Sequence, residues 1–210
     1  MILNTIYSIR HRRINSAYQM FDTSGASLNT NLMDYTNYDD DLMMRARTSG
    51  EYDKVMQALK EKWGDGCPYC KLSEKYIVKE IGDWVLTSNL FPYTNYQLVI
   101  IPRRHIQSFG DITGKDWETV RQLIYIGIKA LQRVYGQKDF NVYYQQGKDA
   151  SQSLKHLHIN ILPMTDNADI LVKNFKQVTI SPRQNSEKLK AEIESAKFKK
   201  RVGERLKNNL

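Results

Sequence analysis

The chain has 210 residues, of which 41% are hydrophobic and 26% charged, and its formal net charge is +8. This length suits one domain of ordinary size with extensions. Its apolar runs fall far short of the roughly 20 residues that cross a bilayer. The first residues also lack the apolar core of a secretory signal. We therefore expect a cytoplasmic protein without a membrane span.

Residues 1–65 are predicted to be an N-terminal extension that is partly helical. Ile2, Ile6 and Ile9 have helical spacing, and residues 22–41 have the composition of a loop. Helical periodicity returns in residues 51–63, before a Gly-Asp-Gly sequence ends it.

Residues 66–165 are predicted to form the main domain, an α+β fold with an antiparallel sheet. Thr113 and Asp116 are spaced as a capping box, and an apolar stripe follows them as far as Gly136. Strand patterns flank this helix. They cover residues 84–87, 96–101, 140–145 and 156–162.

Residues 166–210 are predicted to be a basic, helical C-terminal extension. Nine Lys or Arg and four Asp or Glu fall within residues 183–210, so five of the eight net charges lie there. Leu189, Ile193 and Ala196 form a narrow apolar stripe on a helix predicted for residues 186–206. The helix either packs this stripe on the domain or a second subunit, or binds a nucleic acid through its charge.

The most informative stretch is residues 145–163, QQGKDASQSLKHLHINILP. Apolar and polar residues alternate at its end, which places His156, His158 and Asn160 on one face of a strand. The small polar residues before them are typical of a loop that turns backbone N–H groups around an anion. An imidazole beside such a loop can attack phosphorus. Histidines with a purely structural role, whose ring nitrogens are hydrogen-bonded within a sheet, give the same sequence pattern.

The stretch resembles the histidine triad (HIT) superfamily, whose motif is His-φ-His-φ-His-φ-φ with φ apolar. The resemblance covers residues 66–163 and departs from the motif at the third position, which is Asn160. It implies a HIT-like fold with a five-stranded antiparallel sheet and two main helices. It also implies a homodimer.

The resemblance further implies a role for each site residue. His158 would attack the α-phosphorus of a nucleotide and form a nucleotidyl-histidine intermediate. Ser153 would contact the phosphate or the leaving group, with Gln145 and Gln152 as further phosphate contacts. Asn89 would meet the ribose. Leu90 either helps to form the wall around the base or simply packs in the core. A turn-initiating Asn and solvated loop side chains explain several of these residues equally well.

Cys67 and Cys70 form a single C-P-Y-C, which is no disulfide framework. By itself such a pair is compatible with zinc, redox chemistry or chance. The resemblance implies that His105 and His156 complete a structural zinc site with the two cysteines.

Asn160 cannot transfer protons at neutral pH, but it can donate a hydrogen bond to phosphate oxygen. Together these features predict a nucleotide hydrolase or nucleotidyltransferase acting through His158. Two alternatives stay open: a weak or inactive nucleotide-binding module, and an enzyme that acts on nucleic-acid ends through the basic tail.

Overall fold

The computed structural model describes residues 52–63, 67–164 and 179–207. The predicted helix around Ile6 and the predicted loop at 22–41 lie outside these ranges. Every helix in the described ranges is too short or too polar to cross a membrane.

Within these ranges the chain is an α+β fold built on one five-stranded antiparallel sheet, with strand order β1-β2-β3-β5-β4. The strands are β1 (Ile77–Ile81), β2 (Trp84–Ser88), β3 (Leu98–Pro102), β4 (Asp139–Tyr144) and β5 (Ile159–Met164). The helices are α1 (Tyr52–Trp63), α2 (Gly114–Tyr135), α3 (Pro182–Glu194) and α4 (Ala196–Lys207), and short 3₁₀ turns cover Glu74–Tyr76 and Phe109–Asp111.

Helix α2 begins and ends as its sequence predicts. The Thr113 side chain accepts from the backbone N–H of Asp116, and the Asp116 carboxylate accepts from the N–H of Thr113, which confirms the capping box. Gly136 ends the helix in the left-handed conformation, with φ of 67°. In the middle, Gly127 lies so close to the sheet that a Cβ there would meet the Ile161 side chain at 3.2 Å.

Two parts of the secondary structure differ from the sequence prediction. Strand β1 was missed because Lys79 and Glu80 lie inside it and a bulge between Ile77 and Lys79 interrupts its alternation. The single helix predicted for residues 186–206 is wrong, since Ser195 adopts an extended conformation with ψ of 141°. Its hydroxyl then accepts from the N–H of Phe198 and starts helix α4.

The sheet is covered on both faces, each by its own set of apolar side chains. The first face packs against α2, α3 and α4 through residues that include Leu86, Leu98, Ile100, Ile159, Ile161, Leu123, Leu131, Leu189 and Phe198. The second face packs against α1 and the segment before β1 through residues that include Val85, Val99, Ile101, Val55, Met56, Tyr69, Leu72 and Tyr76. Two apolar layers around one sheet give the domain its core.

The helical part of the C-terminal extension packs on the first face, as one of the two predictions for it states. Leu189 and Ile193 are buried there, whereas Ala196 is exposed. Buried hydrogen bonds tie α3 to the sheet as well: the Ser186 hydroxyl lies 2.6 Å from the Tyr76 carbonyl oxygen and 2.8 Å from the Ser88 hydroxyl.

Candidate functional site

The histidine stretch enters the sheet between β3 and β4. His156 and His158 come just before β5, and Asn160 lies inside it; all three side chains are buried. Asn160 pairs with Val99 across the ladder and therefore lies on the second face of the sheet. The N–H of Leu157 donates to the carbonyl of Ile106 at 2.7 Å, which fixes the segment that carries both histidines.

The ring of His158 is oriented by its own backbone neighbourhood. Its Nδ1 lies 2.8 Å from the carbonyl oxygen of His156. Since a carbonyl can only accept, Nδ1 carries the proton and Nε2 holds the lone pair. This is the tautomer that an imidazole nucleophile needs.

His158 lines a narrow pocket together with four other predicted site residues. Asn160, Ser153, Gln145 and Asn89 line the same pocket, although the chain brings them from four separate segments. Aromatic and apolar side chains complete the wall: Tyr52, Tyr69, Phe91, Tyr93 and Leu154. Among these lining residues none is acidic or basic apart from His158, so the pocket offers an anion neutral donors rather than countercharge.

Two predicted nucleotide-binding residues lie elsewhere. Leu90 is 1% exposed and packs in the core of the second face. The Gln152 side chain stabilises the loop. Its oxygen accepts from the backbone N–H of Gly147 at 2.8 Å, and its nitrogen donates to the backbone carbonyl of Lys155 at 3.3 Å. Its contribution is therefore to the shape of the loop around Ser153.

Asn89 has a role in its own turn. Its Oδ1 accepts from the N–H of Phe91 at 2.9 Å, which is the turn-initiating arrangement considered above. The side chain also lines the pocket, so its role in the turn does not exclude a contact with a ligand.

Asn160 is held by Gln97, the residue directly before the neighbouring strand β3. The Gln97 amide donates to Asn160 Oδ1 at 3.0 Å, and both side chains are buried. Gln97 Oε1 in turn accepts from the N–H of Tyr93 at 2.8 Å.

Beside the pocket lies a cluster of four metal-ligating side chains. Cys67 and Cys70 come from a turn before β1, His105 follows β3, and His156 precedes β5; their ligand atoms all lie within 4.8 Å of one another. The cysteine sulfurs lie 3.1–3.4 Å from histidine Nδ1 atoms. Tetrahedral zinc with Zn–S near 2.3 Å and Zn–N near 2.0 Å places neighbouring ligands about 3.3–3.8 Å apart, so the four residues fit the ion.

The protonation of His156 suits metal binding. Its Nε2 lies 2.8 Å from the Pro102 carbonyl oxygen, so Nε2 carries the proton and Nδ1 presents a lone pair to the cysteines. Burial lowers the pKa of His156 to about 4, which keeps the ring neutral. Desolvation and the neighbouring Cys67 raise the pKa of Cys70 to about 11, a preference for the thiol that a divalent cation would reverse.

Tyr69 and Tyr93 are pocket residues that the sequence analysis missed. The ring of Tyr69 lies 5.8 Å from that of His156 and 5.7 Å from that of His158. Its position inside Cys-Pro-Tyr-Cys was the signal that could have revealed it, because both cysteines contact His156 and bring the residue between them close to His158. The backbone N–H of Tyr93 donates to the Gln97 side chain, and a sequence of side chains does not reveal a backbone contact of this kind.

Comparison with known proteins identifies relatives of this chain. A family described as HIT domain matches residues 71–167. An uncharacterized HIT-like protein from Chlamydia trachomatis is 31% identical over 86 residues, which cover 40% of this chain and 77% of that protein. An AP-4-A phosphorylase from Mycobacterium tuberculosis is 29% identical over 76 residues, which cover 36% of this chain and 39% of the relative.

The fold has a counterpart among solved structures. A Zn-bound histidine triad family protein from Mycobacterium smegmatis superimposes with a TM-score of 0.50 at 15% identity, over 60% of this chain and 92% of that one. At this identity the likeness concerns the fold. The sheet, the histidine stretch and the match over most of the chlamydial protein together lead to one conclusion: the chain belongs to the HIT family.

Proposed function

We propose that this protein is an enzyme that acts at the α-phosphate of a nucleotide, as a hydrolase or nucleotidyltransferase, through a nucleotidyl-His158 intermediate. The observation that carries the proposal is the 2.8 Å hydrogen bond from His158 Nδ1 to the His156 carbonyl. It leaves the lone pair on Nε2 of a ring that lines the pocket. The AP-4-A phosphorylase similarity supports a nucleotide substrate, although the chain spans about two fifths of that relative.

The neighbours of His158 supply what phosphoryl transfer needs. Neutral donors aimed at the non-bridging oxygens stabilise the charge of the transferring group. Ser153, Gln145 and Asn160 line the pocket beside His158 and can donate through a hydroxyl and two amides. In this proposal Asn89 meets the ribose, while Leu90 and Gln152 shape the walls from behind.

We assign zinc to the four-residue cluster. Cys67, Cys70, His105 and His156 would fill a tetrahedral ion and leave no open position, so the ion would be structural. When bound, it would join the turn that carries Tyr69 to the strand that carries His158. The chemistry at phosphorus would stay with the side chains of the pocket.

Homodimerisation and a cytoplasmic location belong to the same proposal. Strand β4 is an edge of the sheet, and Val142 on it is 41% exposed. An edge strand with exposed apolar surface can pair with a second copy. Light scattering on the purified chain would show about twice the monomer mass of 24.5 kDa for a dimer.

The basic tail gives less support to a nucleic-acid substrate. Helix α4 carries six Lys or Arg residues, but it packs on the first face of the sheet, opposite the face of Asn160. A nucleic acid bound along α4 would have to extend round the sheet before its end could reach His158. The proposed substrate is therefore a small nucleotide.

The test is intact-protein mass after brief incubation with adenosine phosphoramidate, dinucleoside polyphosphates and a UDP-sugar, quenched in alkali. A nucleotide-sized adduct is expected in the parent protein and in Gln107→Ala, an exposed control, and no adduct in His158→Ala. Persistence of the adduct in water indicates a transferase. Nucleotide binding with no adduct and no turnover from any donor contradicts the proposal and favours a binding module.

A further inference from the structure

The buried pair Gln97 and Asn160 has only one consistent arrangement of its amide groups. Their exposed fractions are 1% and 3%. The Tyr93 backbone N–H can only donate, so the atom of Gln97 that faces it at 2.8 Å is the carbonyl oxygen. The Gln97 nitrogen is then the donor to Asn160, and the Asn160 oxygen is its acceptor. The side-chain nitrogen of Asn160 is then the group that can donate a hydrogen bond into the pocket.

The backbone around Gln97 is fixed on both sides. Tyr96 adopts a left-handed conformation with φ of 68°, which costs a non-glycine residue about 1–3 kcal/mol. The Tyr96 ring stacks on the Tyr135 ring of helix α2, with 3.8 Å between the ring centres. The backbone carbonyl of Gln97 accepts a hydrogen bond from the backbone N–H of Asn89. These contacts hold Gln97 in place, so the amide that orients Asn160 cannot easily turn round.

The orientation of Asn160 matters because of what the pocket otherwise contains. Histidine is the side chain whose ordinary pKa allows proton transfer near neutral pH. Among the described residues that line the pocket, His158 is the only histidine, and the proposed function uses it as the nucleophile. An amide at position 160 can stabilise negative charge on a phosphate oxygen, but it cannot protonate a leaving group.

We propose that Gln97 is a positioning residue that fixes Asn160 as a hydrogen-bond donor, and that the pair makes the site selective for phosphoanhydride donors over phosphoramidates. The proposal rests on the proposed function of His158 and names the substrate class of that site. The substrates it selects are nucleotides whose α-phosphate is joined to another phosphate.

The transfer step balances without a proton donor. Nε2 of His158 forms a bond to the α-phosphorus with its lone pair, while the bond from that phosphorus to the bridging oxygen breaks. The bonding pair leaves with the oxygen as a phosphate or polyphosphate anion. The ring keeps its Nδ1 proton on the His156 carbonyl. A phosphoramidate would have to expel an amine, which leaves only after its nitrogen has gained a proton.

The test compares two donors that share a nucleoside and differ in the leaving group: a nucleoside diphosphate and the matching nucleoside 5′-phosphoramidate. The rate of His158 adduct formation is measured for both with the full zinc-loaded chain. General acid catalysis contributes about 10²–10⁴-fold where it operates. We therefore expect the diphosphate to react about 10²-fold faster. A ratio below tenfold overturns the selectivity.

Two substitutions at Gln97 test its positioning role. In Gln97→Glu at pH 8 the carboxylate still accepts from Tyr93 but can only accept from Asn160, which turns the Asn160 oxygen towards the pocket. Removing one oriented donor typically costs about 10²–10³-fold in rate. We expect a loss of at least tenfold in the rate with the diphosphate, with unchanged zinc content. Gln97→Met, which removes both polar atoms, is the second variant if Gln97→Glu does not fold.

Asn160→His supplies the opposite change, since it restores a group that can transfer a proton. Its rate with the phosphoramidate should rise relative to the diphosphate by at least tenfold. An unchanged donor ratio in Asn160→His, or an unchanged diphosphate rate in the folded Gln97 variants, overturns the inference. The absence of any adduct from any donor in the parent protein is a different result, because it overturns the proposed function itself.

Discussion

Nε2 of His156 lies 2.8 Å from the carbonyl oxygen of Pro102. The bond places the proton on Nε2, so the ring presents Nδ1 to the sulfur atoms of Cys67 and Cys70, 3.3 and 3.4 Å away. A backbone carbonyl of β3 thus orients a side chain that precedes β5, in the way that neighbouring groups orient metal-bound histidines. The end of β3 and the start of β5 therefore hold this part of the cluster at the same end of two paired strands.

The first prediction concerns metal content. Cys70→Ser should lose the bound metal, because serine is a poor zinc ligand and three donors remain. The midpoint of thermal unfolding should fall by about 10 °C, since metal binding is coupled to folding. Elemental analysis and thermal melts of protein purified with added zinc measure both effects.

His158→Ala is the matched control for this prediction. His158 lies two residues from His156 but outside the cluster, so the variant should keep one zinc per chain while losing the nucleotide adduct. Full zinc occupancy in Cys70→Ser would contradict the assignment of the cluster.

The second prediction concerns the stability of the protein in acid. Burial by itself raises the pKa of Asp116, but hydrogen bonds from Trp84, Thr113 and Arg104 outweigh it and hold this pKa well below its ordinary value. The unfolded chain, with an Asp pKa near 3.9, therefore binds the proton first as pH falls. The stabilisation is present above about pH 4 and is lost as pH falls towards the lower folded-state pKa.

Asp116→Asn should reduce the free energy of unfolding at pH 7 by about 1–3 kcal/mol, since it weakens hydrogen bonds to a charged, largely buried group. The difference from the parent protein should shrink at pH 3. Urea unfolding at both pH values measures it, with Glu204→Gln, an exposed position of helix α4, as a control that should change little. A difference that stays constant between the two pH values would refute the electrostatic explanation.

The third prediction uses two glycines in helices. A Cβ at Gly127 would meet side-chain carbons of Ile161, Leu98 and Leu86 at 3.2–3.4 Å, whereas a Cβ at Gly203 would meet nothing within 4 Å. Alanine favours helix at both sites by about 0.5–1 kcal/mol. Gly203→Ala should therefore stabilise the protein. Gly127→Ala should destabilise it by about 1 kcal/mol, because overpacking costs about 1–3 kcal/mol.

Chemical denaturation measures the free energy of unfolding of the two variants. Because both replace glycine by alanine within a helix, the difference between them reports the packing around the added methyl group. Equal changes in the free energy of unfolding at both positions would show that the sheet yields to the added methyl group. Helix α2 would then be less closely packed on β2, β3 and β5 than these distances indicate.

The fourth prediction concerns the C-terminal extension. Deleting residues 179–210 should prevent stable folding, because it uncovers the first face where Leu189, Ile193, Phe198 and Val202 are buried. Burying one such side chain contributes about 1.5–3 kcal/mol, and domains of this size have only about 5–15 kcal/mol in total. A truncated chain with a cooperative thermal transition and the parent midpoint would contradict this, and deletion of residues 208–210 is the control.

Much of the site could be predicted from the sequence because its signals are local. The alternation at residues 156–162 does not depend on distant contacts, and the resemblance to the HIT superfamily connects it with Cys67, Cys70 and His105. The capping box at Thr113 and the stop at Gly136 are likewise complete within a few residues. Strand β1 was missed because its local signal is interrupted by charged residues and a bulge.

The sequence by itself determined the family, the α+β class, the ends of helix α2 and the candidate site residues. The orientation of those residues was decided only by the tertiary structure. Gln97 and Asn160 are 63 positions apart, and their hydrogen bond exists because β3 and β5 pair in the register that places Asn160 opposite Val99. The break at Ser195, the Pro102 carbonyl behind His156 and the position of Tyr69 also depend on packing between distant segments, which no local pattern encodes.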